Sequence, residues 1–410
     1  MKALVLAGGY PQITLIKELK NRDITVILAD WGANPVARPY ADIFYQASTL
    51  DIEAITEIAK KEKVDFLITA CTDQALLTVA NVSEELGLPC YVDYKTALNV
   101  TNKSYMKEKF AEYNVPTAKF VVMDKLDEEK IKDMKYPLIV KPVDCNSSKG
   151  VKKVLNLDEL KSAFSDAVKY SRTNTAIVED FISGEEISVD IYVENGKANV
   201  LCVSNSEKIA ADNKFVIFRG KYPAVANKEV LTKIEDTAQK IADAFEIKNS
   251  PMLVQLITDG KRIYVLEFSA RTGGGVKFQL IKRASGFDVI KAVVDLTLGI
   301  NPHYEPKVAE SKYISNEFIY CSEGEFSHLQ GFDELKVQGI ISEYFQFKPS
   351  GTYFDGSVEN SGDRVGGFTV QGNSLEEIHE KHTKARNALK VIDTKGNDIM
   401  RHDLLVDIEF

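Results

Sequence analysis

The first hundred residues alternate apolar strands with helices at a spacing that commits them to a parallel sheet. Residues 2–7 read as a buried strand, 12–20 as a helix, and 25–29 as a second strand ending at Asp30. Residues 52–61 read as a helix, 65–69 as a third strand, and 75–86 as a helix that runs into Gly87-Leu88-Pro89. Strand, helix, strand in this rhythm predicts a doubly wound α/β sheet. Gly8-Gly9 falls in the first strand-to-helix turn, where a dinucleotide would bind. Tyr10-Pro11-Gln12 follows, so the full G-x-G-x-x-G fingerprint is absent. A tight turn with Pro11 near the first helical position is the competing reading.

From Lys103 the texture changes to α+β. A helix over 103–113 ends before Val115-Pro116. Strands are expected at 118–123, 136–140, 151–154, 175–179, 186–193 and 198–203, with helices at 126–134, 157–170 and 227–245. Two apolar stretches, 252–257 and 262–270, flank Thr258-Asp259-Gly260-Lys261, a hairpin turn. Residues 276–283 and 287–298 suit helices. Beyond Pro306 the chain is strand-rich, with turns at Ser350-Gly351 and at 363–367 and a charged helix over 375–389. Three regions are expected: 1–105, Rossmann-like; 106–305, with a lid over about 115–178; and a C-terminal α+β region, 306–410.

A chain of 410 residues exceeds one ordinary core, and 44% apolar with 27% charged residues is a globular composition. The net charge of −9 argues against nucleic acid as a partner, without excluding a local basic cleft for phosphates. Five scattered cysteines without a C-x-x-C pair suit a reducing cytoplasm. No run approaches the ~18 apolar residues of a membrane span, and residues 1–7 are too short for a signal-peptide core. A cytoplasmic protein with no membrane partner is the expectation.

Three segments carry candidate chemistry. In Tyr136-Pro137-Leu138-Ile139-Val140-Lys141-Pro142, Lys141 closes an apolar strand, where a packed stem can aim its ammonium at an anion. The small-residue loop that follows contains Asn146, Ser147, Ser148, Lys149, Gly150 and Val151, and such a loop can turn N–H groups toward phosphate oxygens. A surface lysine and an ordinary hairpin loop are the alternative. In the second segment, Glu179-Asp180-Phe181-Ile182 ends a strand and Gly184-Glu185-Glu186 turns into the next. These carboxylates either meet an adenine amino group and ribose hydroxyls or are solvated hairpin charges. The third segment carries Glu267 in a run apolar enough to be buried, so a partner is required: a hard cation such as Mg²⁺, or Arg271. Thr272-Gly273-Gly274-Gly275 then enters a helix, an arrangement that exposes N–H groups to an anion.

In this order and spacing the segments resemble the ATP-grasp superfamily, over residues 1–300 closely and the last hundred loosely. Within it the chain looks like carboxylate–amine ligases, including bacterial L-amino-acid ligases and relatives of the carbamoyl-phosphate synthase large subunit. Ile68-Thr69-Ala70-Cys71-Thr72-Asp73-Gln74-Ala75 and Asn102-Lys103-Ser104-Tyr105-Met106-Lys107 resemble that group's N-terminal portion. The resemblance implies ATP with Mg²⁺ (Mn²⁺ as substitute), an acyl-phosphate intermediate, small-molecule carboxylate and amine substrates, and a homodimer. It implies that Lys103 and Lys141 bind phosphates under a flexible loop of Ser147, Ser148, Lys149, Gly150 and Val151. Glu179, Asp180 and Ile182 would line the adenine and Glu186 would hold the ribose. Gln255, Glu267 and Ser269 would ligate metal. Arg271, with Lys141 and Lys149, would be catalytic, and Arg271 with Gly273, Gly274 and Gly275 would bind substrate. Ser269 stands where an asparagine is common.

A register question stays open at this stage. A two-residue Asp259-Gly260 turn would set Gln255 opposite Tyr264, so joint metal binding with Glu267 needs a longer loop near Lys261 or a bulge. The rival functions are bicarbonate activation of the biotin-carboxylase kind, a small-molecule kinase, and a non-catalytic ATP-binding regulator.

Overall fold

The computed structural model describes residues 1–145, 150–209 and 216–410. Among them the strands form four sheets. β1 (Lys2–Leu6), β2 (Thr25–Asp30), β3 (Ile43–Gln46) and β4 (Phe66–Ile68) make a parallel sheet in the order β3-β2-β1-β4. Alternate residues of β1 serve opposite cores, as the strand period requires. Ala3 and Val5 pack with the helices Tyr10–Lys20 and Val289–Thr297, while Leu4 and Leu6 pack with the helices Ile52–Glu62 and Asp73–Leu86. The Gly8 turn is closed from within. Its N–H donates to Oδ2 of Asp30 at 2.7 Å, and a Cβ at Gly8 would stand 2.5 Å from Cβ of Pro35. This geometry favours the tight-turn reading of Gly8-Gly9.

A second, antiparallel sheet joins β5 (Phe120–Met123), β6 (Leu138–Pro142), β7 (Lys152–Val154) and β8 (Ala176–Asp180) in the order β5-β8-β6-β7. Leu160, Ala163, Phe164 and Ala167 recur at helical spacing along the helix Leu157–Tyr170 and cover this sheet through Leu138, Val140 and Val178.

The largest sheet is built from β9 (Glu185–Glu194), β10 (Lys197–Lys208), β11 (Ile217–Tyr222), β12 (Ser250–Thr258), β13 (Ile263–Ser269) and β14 (Tyr313–Ile319). β15 (Glu323–Gln330) leaves it, β16 (Glu343–Gln346) returns, β17 (Tyr353–Asp355) leaves, and β18 (Gly366–Gly372) returns before β19 (Lys390–Asp393). The eight-stranded order is β13-β12-β9-β10-β11-β14-β18-β16, so one antiparallel sheet runs across position 306. β15, β17 and β19 form the fourth sheet.

β3 and the helix Tyr94–Thr101 were not expected, and two further differences have a clear physical cause. The turn expected over 363–367 ends earlier, and Gly366-Gly367 begin β18. These glycines serve close approach: a Cβ at Gly367 would meet the Glu317 carbonyl oxygen at 2.2 Å, and one at Gly366 the Phe345 carbonyl oxygen at 2.6 Å. β11 was not expected because Arg219 and Lys221 interrupt its apolar pattern. Arg219 is fully buried and compensated: Nε donates to Glu317 at 2.7 Å, and Nη1 to Glu207 at 2.9 Å and to the Asp407 carbonyl at 3.0 Å. Among the described residues no helix is long and apolar enough to cross a membrane.

Candidate active site

The β6–β7 hairpin and the 179–182 connection face β12 and β13 across a cleft. Asn102 starts the helix Lys103–Glu112 by accepting the N–H groups of Ser104 and Tyr105, which puts Lys103 at its first position, beside the cleft. Lys103 Nζ donates to the Cys145 carbonyl at 2.8 Å and lies 3.3 Å from Oε2 of Glu267. Lys141, on β6, reaches Oε1 of Glu179 on β8 at 2.5 Å. Cross-strand register makes this pairing: Ile139 faces Glu179, so the two side chains are diagonal neighbours.

Glu179 also lies 3.1 Å from Nζ of Lys107, one helical turn after Lys103. Lys107 Nζ donates to Thr117 Oγ1 at 2.5 Å, and that hydroxyl donates to the Val265 carbonyl at 2.8 Å. Burial by itself would raise the Glu179 carboxyl, but Lys141 and Lys107 outweigh it and hold the group at about 2. Burial pushes Lys107 down to about 8, against the pull of Glu179. Lys107 had no assigned role in the sequence. Its signal was the four-residue spacing from Lys103, which puts both amines on one helix face.

The sign of the Glu179 effect gives a prediction. A depressed carboxyl contributes stability that is complete above its ordinary value of 4.5 and lost as the pH falls through about 2. Between pH 5 and 2, wild type is therefore expected to lose stability faster than Glu179→Gln. Parallel pH-dependent slopes in urea unfolding would refute this.

β12 and β13 settle the register question. Thr258 pairs with Ile263 across a longer loop, and a bulge shifts the ladder so that Gln255 lies opposite Glu267 while Leu256 lies opposite Val265. Leu266 is the extra residue, and Leu266 and Glu267 consequently both line the cleft, with Gln255 and Ile257. Glu267 is thus not a buried charge as its apolar run suggested; its side chain is 35% exposed. Nor does Arg271 pair with it. Arg271 makes a two-pronged contact with Asp73, at the start of the helix Asp73–Leu86: Nε to Oδ1 at 2.7 Å and Nη2 to Oδ2. Burial would raise Asp73, but Arg271, with a hydrogen bond from Ser269, holds it low. Of the three expected metal ligands, Gln255 and Glu267 line the cleft, while Ser269 stands beside Asp73.

The other expected residues are placed as follows. Asp180, Ile182, Glu186 and Val151 line the cleft, and Glu186 pairs with Lys208. Gly150 packs against Pro142 at its rim. Ser147, Ser148 and Lys149 lie outside the described residues. Gly273 sits over Asp190, whose carboxylate is raised by burial and stands 3.6 Å from Lys277 Nζ. Gly274 lies above the Cys71 carbonyl, and Gly275 lies against Phe318.

Residues 134–279 match the model of the ATP-grasp domain family. The chain is 24% identical over 419 residues to a phosphoribosylamine–glycine ligase of Caldanaerobacter subterraneus, covering 93% of this chain and 94% of that one. It is 26% identical over 277 residues to a carbamoyl phosphate synthase large chain of Clostridium acetobutylicum, covering 64% of this chain but only 24% of that protein. Its fold matches the crystal structure of an L-amino acid ligase from Bacillus licheniformis with a TM-score of 0.78 at 20% identity, over 96% of this chain and 98% of that one. The family match falls on the strands that enclose the lysine- and carboxylate-lined cleft, so residues 134–279 are similar to an ATP-grasp domain where the candidate site lies.

Proposed function

We propose that this protein is an ATP-dependent ligase that phosphorylates a carboxylate and couples it to an amine, on amino-acid-like substrates. The observation that carries this reading is the convergence of Lys103, Lys141, Gln255 and Glu267 on one cleft with Glu186 and the 179–182 connection. Lys103 and Lys141 are the cations for phosphate oxygens, Glu186 the acceptor for ribose hydroxyls, and the Asp180 and Ile182 backbone the edge for adenine. Glu179 keeps Lys141 in place through its ion pair.

Gln255 and Glu267 fit magnesium: two hard oxygen donors stand opposite one another on the cleft wall, and this ion takes one or two carboxylates together with substrate phosphates. When bound, the ion neutralises charge on those phosphates, and Mn²⁺ satisfies the same donors. In the reaction, a carboxylate oxygen of the substrate bonds to the γ-phosphorus as the bond to ADP breaks. The amine nitrogen then attacks the acyl carbon, phosphate leaves and the nitrogen loses a proton. The protein positions and neutralises more than it bonds. Arg271, with Lys141 and Lys149, supplies positive charge to the transferring group, and loop 147–151 excludes water from the acyl phosphate. Gly273–Gly275 frame the substrate side. The same reading includes a homodimer, which sedimentation velocity checks.

The test is ADP and phosphate release with Mg-ATP across pairwise amino-acid mixtures, bicarbonate included. Release that requires one carboxylate and one amine is the expected result. Release with bicarbonate alone would replace this reading with carboxylation, and formation of a stable phosphorylated substrate would replace it with a kinase.

A further inference from the structure

The loop that begins at Arg271 ends against the last hundred residues. A Cβ on Gly275 would stand 3.4 Å from the Phe318 ring and 3.6 Å from Nη1 of Arg364. Arg364 is 8% exposed. Its Nε donates to the Tyr320 hydroxyl at 3.1 Å, its Nη2 to the Ile217 carbonyl at 2.8 Å, and its guanidinium carbon lies 3.8 Å from the Phe318 ring centroid. Two hydrogen bonds and a stacked ring therefore fix the plane of the guanidinium. Nη1 has no hydrogen-bond partner among the described residues, and no carboxylate there comes within ion-pair distance of the group. A nearly buried cation held rigid with one face of donors unused is costly to keep, and an incoming anion offsets that cost.

The surroundings narrow the anion's owner. Tyr10, from the Gly8-Gly9 turn, Phe345 and Phe347 form an aromatic wall with Phe318, with ring centroids 5.7 Å apart for Tyr10–Phe345, 5.3 Å for Phe345–Phe347 and 6.2 Å for Phe318–Phe347. Tyr10 and Phe347 are only half-buried. Oε1 of Gln279, whose Nε2 lies 3.5 Å from the Tyr10 hydroxyl, is buried without a hydrogen-bond partner among the described residues. Arg271, at the other end of the loop, gives three of its five N–H donors to Asp73 and the Thr272 carbonyl. The two ends of the loop thus differ: an arginine ion-paired with Asp73, and one without a carboxylate partner among the described residues beside aromatic rings.

We propose that Arg364 binds the carboxylate of the amine-bearing substrate through Nη1, with Tyr10 and Phe347 as the wall for its apolar portion. The amine substrate is then an amino acid or peptide that keeps a free carboxylate. This inference rests on the ligase reading above. One guanidinium edge among aromatic rings suits a single negative charge, and a phosphomonoester-bearing amine is the other source of an anion to be distinguished.

The experiment compares wild type, Arg364→Gln and Arg364→Lys with Mg-ATP and each of the twenty amino acids as acyl donor. Acceptors are each amino acid against its own carboxamide, aminomethylphosphonate, and hydroxylamine, which reports acyl-phosphate formation as hydroxamate. Wild type is expected to favour the free acid over the amide, and Arg364→Gln to lower kcat/KM for free acids about 10- to 100-fold, chiefly through KM. Losses with carboxamides and hydroxylamine should stay under threefold, and Arg364→Lys should fall between. Equal losses with all acceptors, or no acid–amide preference in wild type, would overturn the role of Arg364 while leaving the ligase intact. Preference for aminomethylphosphonate would overturn the carboxylate assignment. Absence of both amide and hydroxamate with every donor would overturn the ligase reading and this inference together. The acid–amide comparison needs only wild type, so it stands even if both variants unfold.

Discussion

Glu267→Gln is expected to lower ATP-dependent ADP release by at least about 100-fold while leaving the fold intact, the size of loss that follows removal of one charge-stabilising group, about 3 kcal/mol in the barrier. The glutamine keeps the shape opposite Gln255 but loses the charge that the metal role requires. Stability should barely change, because Glu267 is one-third exposed and Lys103 keeps its bond to the Cys145 carbonyl at 2.8 Å. Nucleotide affinity measured in EDTA should be preserved, and the concentration of Mg²⁺ needed for half-maximal rate should rise. Turnover within threefold of wild type would remove Glu267 from the metal site.

Arg271 and Asp73 predict an asymmetric pair. Arg271→Met is expected to cut turnover at least about 100-fold, as loss of a preorganised donor does. Each single change, Arg271→Met or Asp73→Asn, is also expected to cost about 3 kcal/mol of stability, because one charge of a mostly buried pair is stranded. The pH dependence separates them. A stranded Asp73 can take up a proton, so the deficit of Arg271→Met should shrink at lower pH by up to ~1.4 kcal/mol per unit. A stranded Arg271 cannot shed its proton, so the deficit of Asp73→Asn should stay flat. Urea titrations at pH 5, 6 and 7 decide this, and identical slopes would mean that the pair is not electrostatically closed.

β1, β2 and β4 were legible because the helices and strands there have distinct periods, whereas β3 was not expected; Lys103, Lys141, Glu186 and Glu267, singled out from local motifs, do line one cleft. What escaped was non-local. Asp73 finds its partner 198 residues away, and no periodicity announces that. β11 was hidden because Arg219 and Lys221 look solvent-bound until Glu207, Glu317 and the carbonyls near the C-terminus surround them. Gly366-Gly367 looked like a turn because glycine serves both turns and crowded strand crossings, and only the neighbours distinguish the two. The Gln255–Glu267 alignment depended on a single surplus residue, which the hydrophobic pattern could not place.

That surplus residue gives the strand one position, besides the hairpin tip, where the chain can shorten without turning Gln255 or Glu267 from the cleft. Deleting Leu266 would close the bulge, and the ladder from Thr258–Ile263 to Leu256–Val265 would run on without a break to Gln255–Glu267. Glu267 and Ser269 would keep their partners, Gln255 and Leu253, and with them their faces. Residues 259–262 at the tip sit outside that ladder, so lengthening there leaves the cleft unchanged. Natural variation in length should therefore collect at the tip of this hairpin and at the bulge, and be missing between 267 and 271.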